Sequence, residues 1–564
     1  MPTRSHSDAS NLIAPNSNWI WVRYRMVAMW VCLSRCSFNS DGGDFSAFRL
    51  PPMSRTLHSP DTAKALAYAP RWDRPWLASM CIMAVVAIWV ALSSHSHTAL
   101  HHDMAEQFVW AHVWQLGYPK HPPLPTWLFL LAQTILPPKP ATLYGLSALC
   151  IGLTGVFTYL AARELMGARM ALCVACLWGL QQPFGWRAWI YNHNTVLVMT
   201  VAMTVYFAAR AARRNQQWAW AGAGIAAGLA MSTKLQAAVP LVGVLWALWR
   251  SGSLERLSAR QGAAMAVVLS ALVSAAPLLW MATGHTNALA YATHQLGSGE
   301  AEGESMRMGQ FIVSELRMLA PALLVLMIWV ARSYGQADAP SVGGSGSEGS
   351  TAQSSSRAWV EGLLLLPIAF VLAMGVLGGA KLHAQWGVQT FQFMAIALVA
   401  WFGHVFAKAS LRWLLMTAAL FQLLSLLVAA SPAGQRLHAP GAVQGYPSRE
   451  LADRVAADWQ KFAPGCALRY VDAPFFEGGQ IAAYGPGFPA VLQEGPKQDS
   501  PWINDADMAA KGSVVMRHLA QQLPPDVIHT PDMAVRPPRS VKGVNPIVWG
   551  VRLPKEPCQP GGVR

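Results

Sequence analysis

The sequence predicts a polytopic α-helical membrane protein that carries a small α/β domain at its C-terminal end. Three observations predict it. Hydrophobic residues make up 53% of the 564 and charged residues only 12%, where soluble globular chains carry roughly 25% charged residues. The mean hydropathy is +0.28. Apolar area on that scale cannot be hidden in one water-soluble globule, and a chain this apolar and this weakly charged does not stay disordered. Apolar stretches near the ~20 residues that cross a bilayer recur between residues 76 and 430. The 25 Trp against 12 Tyr suit the headgroup interface. The net charge of +14 would suggest nucleic acid in a soluble domain. In a membrane chain, Lys and Arg collect in cytoplasmic loops and against anionic lipid. The lipid bilayer, and no nucleic acid, is therefore the expected partner.

Residues 1–70 read as a disordered extension, or as an over-called start upstream of Met53. The apolar run 19–33 contains Arg23 and Arg25, which are costly in a span, and no clean signal-peptide pattern is present. About eleven spans follow, near 76–94, 142–163, 169–186, 193–210, 218–233, 236–250, 261–283, 316–333, 359–380, 388–407 and 411–430. Arg71 and Arg74 precede the first span and predict a cytoplasmic N-terminus. Arg163, Arg169, Arg210, Arg213, Arg214, Arg250, Arg256, Arg260, Arg332, Lys408 and Arg412 fall on that same side by alternation.

Four regions follow the extension. Residues 71–333 form a membrane core whose first external loop, 95–141, is long. Residues 334–358 form a Gly/Ser-rich cytoplasmic linker, and 359–430 the last membrane helices. Residues 431–564 form an external α/β domain, with β-like runs at 467–471, 512–516 and 547–551 and a helix-like run at 450–462. There are eight cysteines. Cys173 and Cys176 make a CxxC inside an apolar run, with no second pair. Cys466 and Cys558 are the two cysteines of the external domain. An oxidising compartment would join them in a disulfide; the alternative is two free thiols.

The unusual polar residues gather on the external side. The first loop holds His102, Asp103, Glu106, Tyr118, Lys120 and His121. Its segments around Asp103–Trp114 and Leu124–Leu136 suit helices lying flat on the interface. Such a loop reads either as an amphipathic surface or as an active-site loop, since charge at the membrane surface is often functional. The later external loops add Arg187, Tyr191, Asn192 and His193, then Lys234, then His285, His294 and Arg307, then Lys381 and His383. Cations and carboxylates on one face are what a phosphate-bearing lipid donor requires.

These residues resemble the GT-C superfamily of integral-membrane glycosyltransferases, in the bacterial branch near glycosyltransferase family 39 and the lipid A aminoarabinose transferase. Members carry an Asp-Glu-Ala segment after the first span, a Gly-Tyr, and a His-Pro-Pro-Leu or Lys-Pro-Pro-Leu turn. Asp103–Met104–Ala105, Gly117–Tyr118 and His121–Leu124 stand at these places. Tyr191–Asn194, Thr233–Lys234 and Lys381–Trp386 follow in the expected order. Met104 replaces the usual Glu, and Glu106 is the nearest carboxylate that could substitute.

The resemblance implies a sugar carried on a polyprenyl phosphate and its direct, inverting transfer to an acceptor hydroxyl. It places the enzyme in the bacterial inner membrane, with lipid A, a cell-envelope glycan or a protein as the external acceptor. Asp103 matches the catalytic carboxylate, with Glu106 beside it as a second catalytic candidate. Tyr118, Lys120, His121, Arg187, Asn192, His193, Lys234, Arg307, Lys381 and His383 are the candidate substrate-binding residues. No cofactor is fixed by the sequence; a divalent cation is a candidate, with His121, His193 and His383 as its ligands. A secondary transporter or lipid flippase is the first alternative, but its charges would sit at mid-membrane on repeated, broken helices. A non-catalytic envelope assembly protein is the second, with the C-terminal domain as its docking module.

Overall fold

The computed structural model describes residues 74–284, 305–306, 308–334, 356–376, 382–434, 445–495, 497–537, 545–555 and 558. The expectations for 1–70, for most of the 334–358 linker, for His285 and His294, and for Arg307 and Lys381 lie outside them.

Among the described residues, seven helices are long and apolar enough to cross a membrane. The chain is thus a multi-pass membrane protein. In order, the helices are α1 (Pro75–His95), α2 (His102–Trp110), α3 (Leu124–Gln133), α4 (Pro140–Met166), α5 (Ala168–Gly179), α6 (His193–Arg214), α7 (Gln217–Met231), α8 (Ala238–Arg250), α9 (Leu257–Ala282) and α10 (Met308–Tyr334). α11 runs over Ser356–Val376. The membrane part ends with α12 (Ala384–Thr390), α13 (Met394–Trp401), α14 (Gly403–Lys408) and α15 (Leu411–Ala430).

Local sequence explains the breaks. Pro75 and Pro140 open α1 and α4 at the first helical position, where the missing N–H costs nothing. Asn192 caps α6 by accepting the amide of Thr195 at 2.9 Å. Asn215 ends that helix in a left-handed conformation. α6 is the most enclosed of the seven, while α9 and α15 leave most of their surface to lipid. α7 meets α9 through small residues; a Cβ on Gly224 would stand 2.4 Å from the carbonyl oxygen of Ala266. Such close approach is how helices associate where lipid is as apolar as leucine.

Two of the expected spans are reshaped. The run 169–186 is helical only to Gly179 and then turns at Gln182–Phe184. The run 388–407 is broken into the ends and bodies of α12, α13 and α14. The break falls where Gln389 and Gln392 turn inward, Gln392 donating to the carbonyl of Val198 at 2.6 Å. A polar side chain satisfied in this way can interrupt a helix at membrane depth without exposing backbone to lipid.

The C-terminal region adds α16 (Ser448–Phe462), α17 (Phe475–Tyr484) and α18 (Asp505–Lys511) to a five-stranded mixed sheet. Strands β3 (Tyr470–Ala473), β4 (Ala490–Gln493), β5 (Ser513–His518), β6 (Ala534–Val535) and β7 (Ile547–Arg552) lie in the order β4-β3-β5-β7-β6. β3 is parallel to β4 and β5, and β7 is antiparallel to β5 and β6. A two-stranded ribbon earlier in the chain pairs β1 (Ser305–Met306) with β2 (Leu382–His383). Arg517 holds Asp472 through both guanidinium nitrogens, at 2.9 and 3.0 Å. Cys466 and Cys558 are joined by a disulfide, with their Cα atoms 5.3 Å apart.

The loop between α1 and α4 corrects the flat-helix expectation. All residues of α2 from Met104 to Trp110 are buried. The face expected to meet headgroups meets α17 instead, and Gly479 lies so close that a Cβ there would stand 2.5 Å from the carbonyl oxygen of Ala105. An apolar stripe on a helix reports that something covers it, not what covers it.

Candidate active site

The site is built where α2, the mouth of α6 and the turn before α8 converge. Asp103 is the second residue of α2. His101 occupies the N-cap, and its Nδ1 accepts the backbone N–H of Asp103 at 3.3 Å. The helix is thus capped by His101, which leaves the Asp103 carboxylate free of that duty. The Oδ2 of Asp103 accepts from Nδ2 of Asn192 at 2.7 Å and lies 3.8 Å from His101 Nδ1.

The surrounding loops are fixed by their own bonds. Tyr191 donates its hydroxyl to the carbonyl of Pro125 at 2.6 Å, anchoring the segment before α6 to α3. The N–H of Leu124 bonds the carbonyl of Ser232 at 3.0 Å, drawing the Lys234 turn to the same place. Lys234 donates to Oδ1 of Asn194 at 3.0 Å, and Gln389 of α12 donates to the same oxygen. Lys120 pairs with Glu106 at 2.5 Å and lies 4.6 Å from the centre of the Phe475 ring. The rings of His121 and His193 pack with centres 3.8 Å apart.

The electrostatics follow from burial set against charge. Burial raises the Asp103 carboxyl, but the His101 ring, the Asn192 amide, the His121 ring and the Lys120 ammonium together outweigh it and hold it below its ordinary value. Burial lowers His101 to about 4 against the pull of Asp103, which agrees with a ring nitrogen that accepts an N–H. Burial, with help from Lys234, lowers His121 to about 3. Burial brings Lys234 down to about 8.

The structure brings together Asp103, Asn192, His121, His193, Lys120, Glu106 and Lys234. Arg187 lines a small cavity of about 50 Å³ with Asn192 and Asn194. Tyr118 is buried and its hydroxyl is engaged with the carbonyl of Val113 at 2.7 Å. His383 is described only along its backbone, in β2. Among the described residues no three His, Cys, Asp or Glu side chains converge as a metal-ligand set. Reading the sequence missed His101, Asn194 and Gln389. The first two sit inside the segments HHD and YNHN, so the signal was present but attached to their neighbours.

An apolar cleft of about 280 Å³ opens between α10, α11 and the α12–α13 break. Phe311, Leu316, Leu319, Ile368, Leu372 and Phe391 are among its walls.

Residues 120–280 match the family described as dolichyl-phosphate-mannose-protein mannosyltransferase. No curated protein sequence matches the chain. The crystal structure of ArnT from Cupriavidus metallidurans bound to undecaprenyl phosphate is similar over 84% of this chain and 98% of that one, at 12% identity and a TM-score of 0.50. The same protein in the apo state is similar over 87% and 98%, at 14% identity and a TM-score of 0.48. The archaeal oligosaccharyltransferase AglB from Archaeoglobus fulgidus, in complex with an inhibitory peptide and a dolichol-phosphate, covers 75% of this chain and 65% of its own, at 13% identity and a TM-score of 0.44.

The family match is confined to residues 120–280 of the membrane part. The fold as a whole is similar to that of ArnT.

Proposed function

We propose that this protein transfers a sugar from a polyprenyl-phosphate donor to a hydroxyl outside the bacterial inner membrane, by direct inverting displacement. The observation that carries the reading is the Asp103 carboxylate, held by Asn192 at 2.7 Å beside the cations Lys120 and Lys234. A hydroxyl is a weak nucleophile until a base takes its proton, and Asp103 is the base. The acceptor oxygen bonds to the anomeric carbon as the bond from that carbon to the phosphate oxygen breaks. The proton goes to Asp103, and polyprenyl phosphate leaves with the electron pair. A phosphate is already a good leaving group, so no protein acid is needed. Lys234 and Arg187 stabilise its charge in a site screened from water, with Arg307 and Lys381 as further candidates. The apolar cleft of about 280 Å³ gives a prenyl chain a place beside the site, since Thr390 on its wall follows Gln389 in α12. The similar ArnT was crystallised with such a lipid, undecaprenyl phosphate. The acceptor is a lipid A, envelope-glycan or protein hydroxyl, delivered on the side of the C-terminal domain.

The test is transfer by the purified protein from synthetic polyprenyl-phosphate sugars of opposite anomeric configuration. Inverted product, lost in Asp103→Asn, is expected. Retained configuration would overturn the mechanism, and no transfer from any such donor would overturn the donor class. Phosphatase fusions check the orientation: activity is expected at residues 115 and 450, and none at 212.

A further inference from the structure

We infer that Gln480 of the C-terminal domain is a positioning residue that fixes the register of the helix carrying Asp103. This rests on the role proposed above for Asp103. Gln480 lies in α17 and is fully buried. Its Oε1 accepts the N–H of Leu100 at 3.1 Å, and its Nε2 donates to the carbonyl of Leu100 at 3.3 Å. One side-chain amide thus takes both backbone groups of a single residue. Leu100 directly precedes the N-cap His101 and stands three residues before Asp103.

Packing alone does not call for this residue. A leucine or methionine of similar volume would fill the space with no polar group to desolvate. The amide adds direction. Two hydrogen bonds to one residue fix both its translation and its rotation, and the start of α2 moves with it. Nearby contacts hold the same strand of backbone. Thr98 donates its hydroxyl to the carbonyl of Tyr446 at 2.9 Å. Gly479, with no side chain, lets α17 lie directly on the backbone of Ala105. The first turn of α2 is therefore seated on the C-terminal domain, while its carboxylate reaches the mouth of α6. Misplacement of a catalytic group by about 1 Å can cost on the order of 10²-fold in rate.

The experiment uses the full chain and the isosteric Gln480→Met variant. We expect kcat to fall by about 10–100-fold, with KM for the lipid donor unchanged. Without the base its position no longer matters, so Asp103→Asn/Gln480→Met should be no slower than Asp103→Asn alone. Lys139→Met removes another bond to this domain, from Lys139 to the carbonyl of Gly485, and should keep wild-type kcat. Amide exchange over residues 100–105 should quicken in Gln480→Met. Wild-type kcat in Gln480→Met, losses that add in the double variant, or an equal fall in Lys139→Met would each overturn the inference. If the wild-type protein transfers no sugar, the proposed function fails on its own; the exchange measurement still decides whether Gln480 holds this segment.

Discussion

The side-chain amide of Asn192 spans two elements: its oxygen accepts the N–H of Thr195 at 2.9 Å and its nitrogen donates to Asp103 at 2.7 Å. The first bond fixes which way the amide points. With the oxygen committed to capping α6, the nitrogen must face Asp103, so Asp103 has to be an acceptor. An ionised carboxylate meets that demand. The geometry that starts a membrane helix therefore also favours the charged form of the proposed base.

Asp103→Asn should lower kcat by about 10²–10⁴-fold, the usual contribution of a general base, with donor binding kept. Because His101 caps α2, the helix should survive. Glu106→Gln should act differently, since it removes the charge that Lys120 pairs with at 2.5 Å. We expect a stability loss of about 1–3 kcal/mol and a smaller kinetic effect. Turnover and thermal melting of both variants check this, and the reverse order would assign the base to Glu106.

Two substitutions at Asn192 separate its duties. Asn192→Ala removes the cap and the bond to Asp103, so stability should fall by about 1 kcal/mol along with kcat. Asn192→Asp keeps a good cap but sets an anion against Asp103. Its melting temperature should fall as the pH rises and both carboxylates ionise, and kcat should fall further than in the Ala variant. Equal kinetics in the two would deny Asn192 any role toward Asp103.

The pH profile of kcat/KM has a sign that follows from burial. His101 and His121 are lowered to about 4 and about 3, so both are neutral between pH 5 and 8. Asp103 sits below its ordinary carboxylate value and stays ionised there. Lys234, lowered to about 8, carries its charge below that pH and loses it above. Transfer should be flat from about pH 5 to 7 and decline above about 8 as donor affinity weakens. An inflection near the ordinary histidine value that disappears in His101→Gln would contradict this assignment.

Non-reducing peptide mapping should recover Cys466 linked to Cys558, a pair 92 residues apart in the chain. Closing a loop of that size constrains the unfolded domain by about 4–5 kcal/mol in the chain-entropy model. Cys466→Ser should therefore lower the melting temperature sharply while leaving the membrane helices folded. Two free thiols in the mapped protein would deny the link.

Much of this architecture was legible because the signals are local. Long apolar runs announce spans such as α4 and α9, and Arg-rich loops predict which ends face the cytoplasm. Asp103, Asn192 and Lys234 could be picked out as polar residues stranded near a membrane. Non-local partners were not legible. The pattern on α2 suits lipid headgroups and a protein surface equally well, so its cover by α17 could not be read. The Gly478–Gly479 pair in α17 looks like a helix breaker, yet Gly479 is where α17 meets the backbone of Ala105. β4 and β6 are short and carry too little alternation to stand out. The 388–407 run reads as one continuous span because the inward bonds of Gln389 and Gln392 depend on α6.

The pairing between Leu100 and Gln480 joins residues 380 positions apart in the chain, and this gives the protein a built-in order of assembly. Synthesis is vectorial, and elements made early wait for those made late. The segment bearing Asp103 is synthesised directly after α1. The amide that sets its register is made only after all the described membrane helices. A chain halted anywhere before α17 would hold the carboxylate but not its final seat. Competence for the proposed transfer thus becomes a property of a chain synthesised through α17, withheld from every shorter form.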